Sequence, residues 1–265
     1  MADLQPMKSK KLEGKVAIVT GGASGIGEAT AHNFINHGAR AVVIADIQDE
    51  KGQNVAASID SDRCTYIHCD VTDEDQVKSL VESTVSIYGC LDIMFSNAGI
   101  SSLRSQTVLD LEFSEFDKIM TVNARGMAAC VKHAARAMKE GGVRGSIICT
   151  SSVLGSRGAG VSTDYAMSKH AVVGLMRSAS LQLAGHGIRV NCVSPGPVGT
   201  PGACKTLGID EERADEVVEP LSRLKGVLRK KHVAEAVSFL ASDESEFVTG
   251  LDLAVDGGFV APAAP

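Results

Sequence analysis

Short apolar runs alternate with longer stretches of mixed polarity along most of the chain. Residues 15–20 (KVAIVT) are apolar and beta-branched with almost no polar interruption, the pattern of a strand buried on both faces. Similar runs recur at 41–45, 64–69, 91–95, 145–150 and 188–193, and a last one begins at Leu251. Between them lie stretches of helical length and composition at 28–37, 116–138, 164–184 and 232–241. A further helix is predicted from Thr72, as N-cap with acids in the turn behind it, through Ile87. Residues 100–109 read as a loop. Strands alternating with helices predict an α/β fold: one doubly wound parallel sheet of about seven strands, helices on both faces.

The pattern weakens only at 202–231. The charge run at 211–216 reads as the solvated face of a short helix, and the segment 202–222 is long enough to serve as a substrate-side lid. With neither an internal repeat nor a linker, residues 1–265 are expected to form one domain, with a tail at 1–13.

Composition removes several classes of function. At 44% hydrophobic and 22% charged, with no Trp, the chain is ordinary for a globular protein. A net charge of −6 argues against a nucleic-acid surface, which needs a basic face. The one basic cluster, Lys8, Lys10 and Lys11, has no apolar segment behind it, as a targeting signal requires. No apolar run approaches the length of a membrane span. The seven cysteines (64, 69, 90, 130, 149, 192, 204) are scattered and mostly inside apolar runs, which predicts buried free thiols in a reducing, cytoplasmic setting. Cys64, His68 and Cys69 alternate along one strand without a second ligand cluster, so no metal site is expected.

The candidate chemistry gathers at the carboxyl ends of the strands, where such sheets bind ligands. Gly21, Gly25 and Gly27 lie between the first strand and first helix, with Ser24 and Ile26 among them; glycines there let backbone and helix N-terminus approach a pyrophosphate. Asp46, followed by Ile47, closes the second strand where a dinucleotide fold places an acid for the adenosine ribose. Asp46 would repel a 2′-phosphate, and neither Ser24 nor Ile47 offers a compensating cation, so NAD is favoured over NADP. A turn or capping aspartate is the competing reading of Asp46. Tyr165 and Lys169 are four apart on a predicted helix, which holds a phenol beside an ammonium. A nearby positive charge favours phenolate and prepares a general base for an alcohol. The same spacing also occurs in ordinary surface pairs. Ser152, at the tip of the fifth strand, can face that phenol.

Taken together, Thr20 to Gly27, Asn97-Ala98-Gly99, Asn123, Ser152, Tyr165 with Lys169, and Pro195-Gly196 resemble the short-chain dehydrogenase/reductase family, in its order and spacing over nearly the whole chain. That resemblance implies a Rossmann-like fold with Tyr165 as catalytic acid/base. Lys169 would lower its pKa and hold the nicotinamide ribose, Ser152 would orient the substrate oxygen, and Asn123 would anchor a proton-relaying water. Asp70, Val71, Asn97, Ala98, Gly99, Pro195, Gly196, Val198 and Thr200 would line the cofactor with the glycine turn, Asp46 and Ile47. Leu154 and Val161 would join Ser152 and Tyr165 around the substrate. Ser96 departs from the family, which usually has Asn before Asn-Ala-Gly.

The stretches 224–228, 238–250 and 256–259 are similar to a plant branch that includes secoisolariciresinol, borneol, isopiperitenol and xanthoxin dehydrogenases and nepetalactol-related enzymes. The branch implies NAD-dependent oxidation of an apolar cyclic alcohol to a ketone, or of a lactol to a lactone. A redox-neutral terpenoid cyclase or isomerase retaining NAD is the rival. Apolar residues around most of the 164–184 helix, Val173 and Met176 among them, and an alanine-rich helix from Asn123 predict a second buried surface and hence a homo-oligomer; the resemblance implies a tetramer.

Overall fold

The computed structural model describes residues 10–260. Its strands are β1 (Val16–Thr20), β2 (Ala41–Asp46), β3 (Cys64–His68), β4 (Ile93–Ser96), β5 (Ser146–Thr150), β6 (Arg189–Pro195) and β7 (Asp252–Val255). They form one sheet in the order β3-β2-β1-β4-β5-β6-β7, with every pairing parallel. Its helices are α1 (Gly25–Asn36), α2 (Asp49–Ile59), α3 (Glu74–Tyr88), α4 (Phe113–Met120), α5 (Met127–Glu140), α6 (Thr163–Leu183), α7 (Pro201–Leu207), α8 (Ala214–Val218) and α9 (Lys230–Ala241).

Side chains alternate across the strands, and each face buries its own core. Ile18 points to a core built with Val77 and Leu80 of α3, Met127 and Val131 of α5, and Val172 and Met176 of α6. Ala17 and Val19 point the other way, onto Phe34 of α1, Val55 of α2 and Val237 and Leu240 of α9. Strand order reverses between β1 and β4, and the crevice at that reversal, beyond the strand ends, is where a doubly wound sheet takes a ligand.

Several expectations need correction. Helix α2 was not anticipated: Asp49–Ile59 is mostly polar and buries only Gly52, Val55 and Ala56. The cap of α3 is Asp73, whose carboxylate accepts from the N–H groups of Asp75 and Gln76; Thr72 bonds Asp70 instead. The expected single helix over 116–138 is α4 and α5 joined by a π-helical turn, Thr121–Gly126, which carries Asn123. The lid segment holds α7 and α8. Of the expected tail, residues 1–9 lie outside the described residues, and Leu12 is no tail residue: it is fully buried and donates its N–H to the His37 carbonyl. All seven cysteines are free, six of them buried. Among the described residues no helix is long and apolar enough to cross a membrane, and no group of His, Cys, Asp or Glu is arranged to hold a metal ion.

Candidate active site

Between β1 and α1 the backbone turns so tightly that side chains have no room. Gly21 has φ 65°, and a Cβ there would come within 2.9 Å of the Ala98 Cα. A Cβ on Gly27 would meet the Gly21 carbonyl at 2.2 Å. Helix α1 starts at Gly25, three residues before the expected Glu28, so Gly25, Ile26 and Gly27 form its first turn and present N–H groups that have no acceptor within the helix. Ser24 is the extended N-cap, and its side chain makes no capping bond.

Asp46 ends β2 beside this turn. Its carboxylate accepts from the Ala23 N–H at 3.1 Å and from the Gln48 N–H and side-chain amide at 3.1 and 3.3 Å. The competing turn role is therefore real, but three bonds leave acceptor capacity on an anionic oxygen pair, as ribose hydroxyls require. Ile47 is 61% exposed next to it. Asp70 holds Thr72 through one oxygen, and Val71 is buried against Gly126.

Asn97 ties three strand ends together. Its N–H donates to the Thr20 hydroxyl at 2.9 Å, its amide donates to the Thr20 carbonyl at 3.1 Å, and its amide oxygen accepts from the Thr150 hydroxyl at 3.0 Å. Ala98 N–H shares the Thr20 hydroxyl, which fixes the backbone leading to Gly99. Thr20 opens the glycine motif but had no role assigned from the sequence, and Thr150 was not singled out; its place beside Ser151-Ser152 is the signal that was there. The departing residue Ser96 is fully enclosed, its hydroxyl turned to the Cys130 thiol.

Asn123, Ser152, Tyr165 and Lys169 come together over the ends of β4 and β5. A Cβ on Gly99 would lie 3.2 Å from the Asn123 side-chain oxygen and 3.5 Å from Lys169 Nζ. Lys169 is 3% exposed, donates to the Thr150 carbonyl at 2.9 Å, and stands 5.4 Å from the centre of the Tyr165 ring. Ser152 accepts from the Leu154 N–H, and its hydroxyl stands close enough to Tyr165 to pull the phenol pKa down. The Asn123 side chain makes three hydrogen bonds: its oxygen accepts from Ile100 N–H at 2.8 Å, and its amide donates to the Ile100 carbonyl and the Ser168 hydroxyl.

One electrostatic expectation is reversed. Burial pushes the Tyr165 phenol upward, and the lowering influence on it is the Ser152 hydrogen bond, not Lys169. Lys169 itself is brought down to about 8, because its ammonium has been withdrawn from water.

Opposite the glycine turn, Pro195 ends β6, Gly196 packs on Asp256, and buried Val198 leads to Thr200, whose hydroxyl caps α7. A Cβ on Gly25 would meet the Thr200 side chain at 3.6 Å, so Thr200 stands against the glycine turn. Leu154 is half-buried beside Ser152, whereas Val161 is 59% exposed at the mouth. Leu103, Val108 and Leu109 on the β4–α4 loop are also exposed.

The donor set fits a dinucleotide: a glycine turn with no space for side chains, helix N–H groups, an acid at the ribose position, and Lys169 deep in the crevice. Residues 21–260 match the family model described as enoyl-(acyl carrier protein) reductase. The chain is 60% identical over 258 residues to a (+)-cis,trans-nepetalactol synthase of Nepeta racemosa, covering 97% of this chain and 94% of that protein. It is 59% identical over 251 residues to a mitochondrial (-)-isopiperitenol/(-)-carveol dehydrogenase of Mentha piperita, covering 94% of each. A crystal structure of a short-chain type dehydrogenase/reductase from Mycobacterium marinum superposes with a TM-score of 0.87 at 34% identity, covering 96% of this chain and 98% of the other.

Proposed function

Because the chain belongs to the short-chain dehydrogenase/reductase family, we propose that it oxidises an apolar cyclic secondary alcohol or lactol of terpenoid type, with NAD as acceptor. The single observation that carries this reading is the meeting of Tyr165, Ser152 and Lys169 beside Gly99, at the strand reversal. Tyr165 Oη takes the hydroxyl proton of the substrate. Ser152 donates to the substrate oxygen and steadies it as its bonding changes. Lys169 holds its place through the Thr150 carbonyl and would hold the ribose hydroxyls of a bound cofactor, and Asn123 props the helix turn below it. Bound in this groove, NAD supplies a positively charged nicotinamide that accepts hydride from the substrate carbon. Asp46 selects NAD over NADP, since a 2′-phosphate beside its carboxylate is electrostatically unfavourable. Leu154 and Val161 supply apolar contact for the ring system. A tetramer fits the exposed Met167 and Leu181 on α6, whereas Val173 and Met176 are buried inside the chain and do not belong to such an interface. Seven free thiols suit the reducing, cytoplasmic setting proposed for the chain.

A second reading has a specific observation behind it. The nepetalactol synthase relative is as similar to this chain as the dehydrogenase relative. On that reading Tyr165 protonates instead of abstracting, and NAD stays unchanged. Purified chain mixed with NAD and a panel of cyclic monoterpenoid alcohols and lactols separates the two. Reduced nicotinamide appearing at 340 nm in step with product supports the oxidation; isomerised or cyclised product of unchanged mass with no absorbance change replaces it by the second reading.

A further inference from the structure

Asp164, the residue before Tyr165, is completely buried. Burying a carboxylate is costly unless its oxygens are bonded, so a helix that only had to pack would use an apolar residue here. Both oxygens are engaged. One accepts from the backbone N–H of Tyr165 at 2.7 Å, and the other accepts a short hydrogen bond from the Ser102 hydroxyl. Ser102 lies on the β4–α4 loop, the exposed apolar wall of the pocket, and is itself 5% exposed.

The same junction is sewn a second time by backbone. Gln106 donates its N–H to the Val161 carbonyl at 2.8 Å and accepts from the Thr163 N–H at 3.0 Å, a two-way parallel bridge just before α6. Gln106 is buried, and its side-chain oxygen holds the Glu112 N–H at the start of α4. The loop is thus fastened to the catalytic helix at Asp164 and again just before it. Ser101, next to Ser102, bonds the Thr206 hydroxyl of α7 at 2.7 Å and so touches the opposite wall.

We infer that Asp164, through Ser102, is a positioning residue for Tyr165: it fixes the first turn of α6 against the substrate loop, and with it the place of the phenol. This rests on Tyr165 being the acid/base, as proposed above. The backbone bond of Asp164 is to the N–H of the reacting residue itself. A displacement of roughly 1 Å at a reacting group is enough to cost about 100-fold in rate.

The test uses the full chain and whichever conversion the wild type performs on the alcohol and lactol panel, so its result does not depend on whether that conversion is redox or neutral. In Asp164→Ala, kcat per folded enzyme should fall by about 10- to 100-fold, while NADH binding measured by fluorescence stays within about twofold of wild type. Asp164→Asn keeps an oxygen acceptor, so it should recover kcat to within about fivefold of wild type. Ser102→Ala leaves the helix sequence intact and should lower kcat by about threefold to tenfold, again without weakening NADH binding. Should Asp164→Ala not fold, Ser102→Ala and Asp164→Asn supply the comparison. Unchanged kcat in Ser102→Ala overturns the inference. So does a parallel loss of NADH binding, melting temperature and kcat that Asp164→Asn fails to rescue, which marks a merely structural residue.

Discussion

The two halves of the crevice are built by opposite means. On the cofactor half the shape is made by backbone: Gly21 and Gly27 leave no room for a Cβ, and Thr20, Asn97 and Thr150 lock three neighbouring strand ends into one hydrogen-bonded unit. On the substrate half the walls are loops and short helices, with Leu103, Val108, Leu109 and Val161 facing solvent. Those walls are joined at few points: Ser101 to Thr206, Ser102 to Asp164, and Gln106 to the start of α6. Backbone geometry set by glycine and strand register leaves little to vary. Walls made of side chains on loops can be exchanged one at a time.

Lys169 sits where the halves meet and should give the largest effect apart from Tyr165. Lys169→Met should lower kcat by about 1000-fold, the upper part of what a positioned proton-handling group contributes. Its stability should move the opposite way. The folded pKa of about 8 lies below the ordinary lysine value, so the folded state disfavours the ammonium. Wild-type stability therefore falls as pH drops from about 10 to about 8 and levels off below that, so the full penalty is present at pH 7. Removing the charge should raise stability at pH 7 by about 2 kcal/mol, after subtracting the lost bond to Thr150, and the gain should shrink as pH approaches 10. Thermal melts at the two pH values check this. A lower melting temperature at pH 7 would mean that the ion is stabilising where it stands.

Ser152→Ala is next, with kcat down by about 100-fold. Its hydrogen bond lowers the phenol pKa against the upward push of burial, so without it the acidic limb of the oxidation profile should move to higher pH. A limb that stays put would place the titration on another group.

The mildest test is a matched pair across the crevice. Asp46→Ser should reduce the preference for NAD over NADP by about tenfold and leave the alcohol KM alone, since it removes one charge from the ribose end. Leu109→Ser, at 94% exposure on the loop, should raise the KM for an apolar alcohol by about threefold and leave the cofactor preference alone. Cross-effects in either variant would blur the division between the halves.

How much of this was legible in the sequence follows the same division. The strands and the parallel sheet were readable because most are short apolar runs separated by helical stretches, and the glycine turn because its constraint is local. Helix α2 escaped because its buried face is only Gly52, Val55 and Ala56. The π turn at Asn123 escaped because apolar spacing runs through it without a break. Asp164 escaped for a different reason. Its meaning depends on Ser102, on a loop with no regular pattern, and only the folded chain brings the two together. The sign of the Tyr165 shift was also out of reach: spacing along a helix reveals the neighbouring charge but not how deeply both groups are buried.

The central claim is that Tyr165 takes the proton in a groove whose cofactor half stands independently of it. Tyr165→Phe removes one oxygen and preserves the ring, so a single preparation can be assayed for both NADH binding and turnover of the best alcohol or lactol from the panel. NADH affinity within about twofold of wild type together with a loss in kcat of about 1000-fold or more is the expected result. Turnover within about tenfold of wild type, at intact NADH binding, would contradict it and move the proton acceptor to another residue.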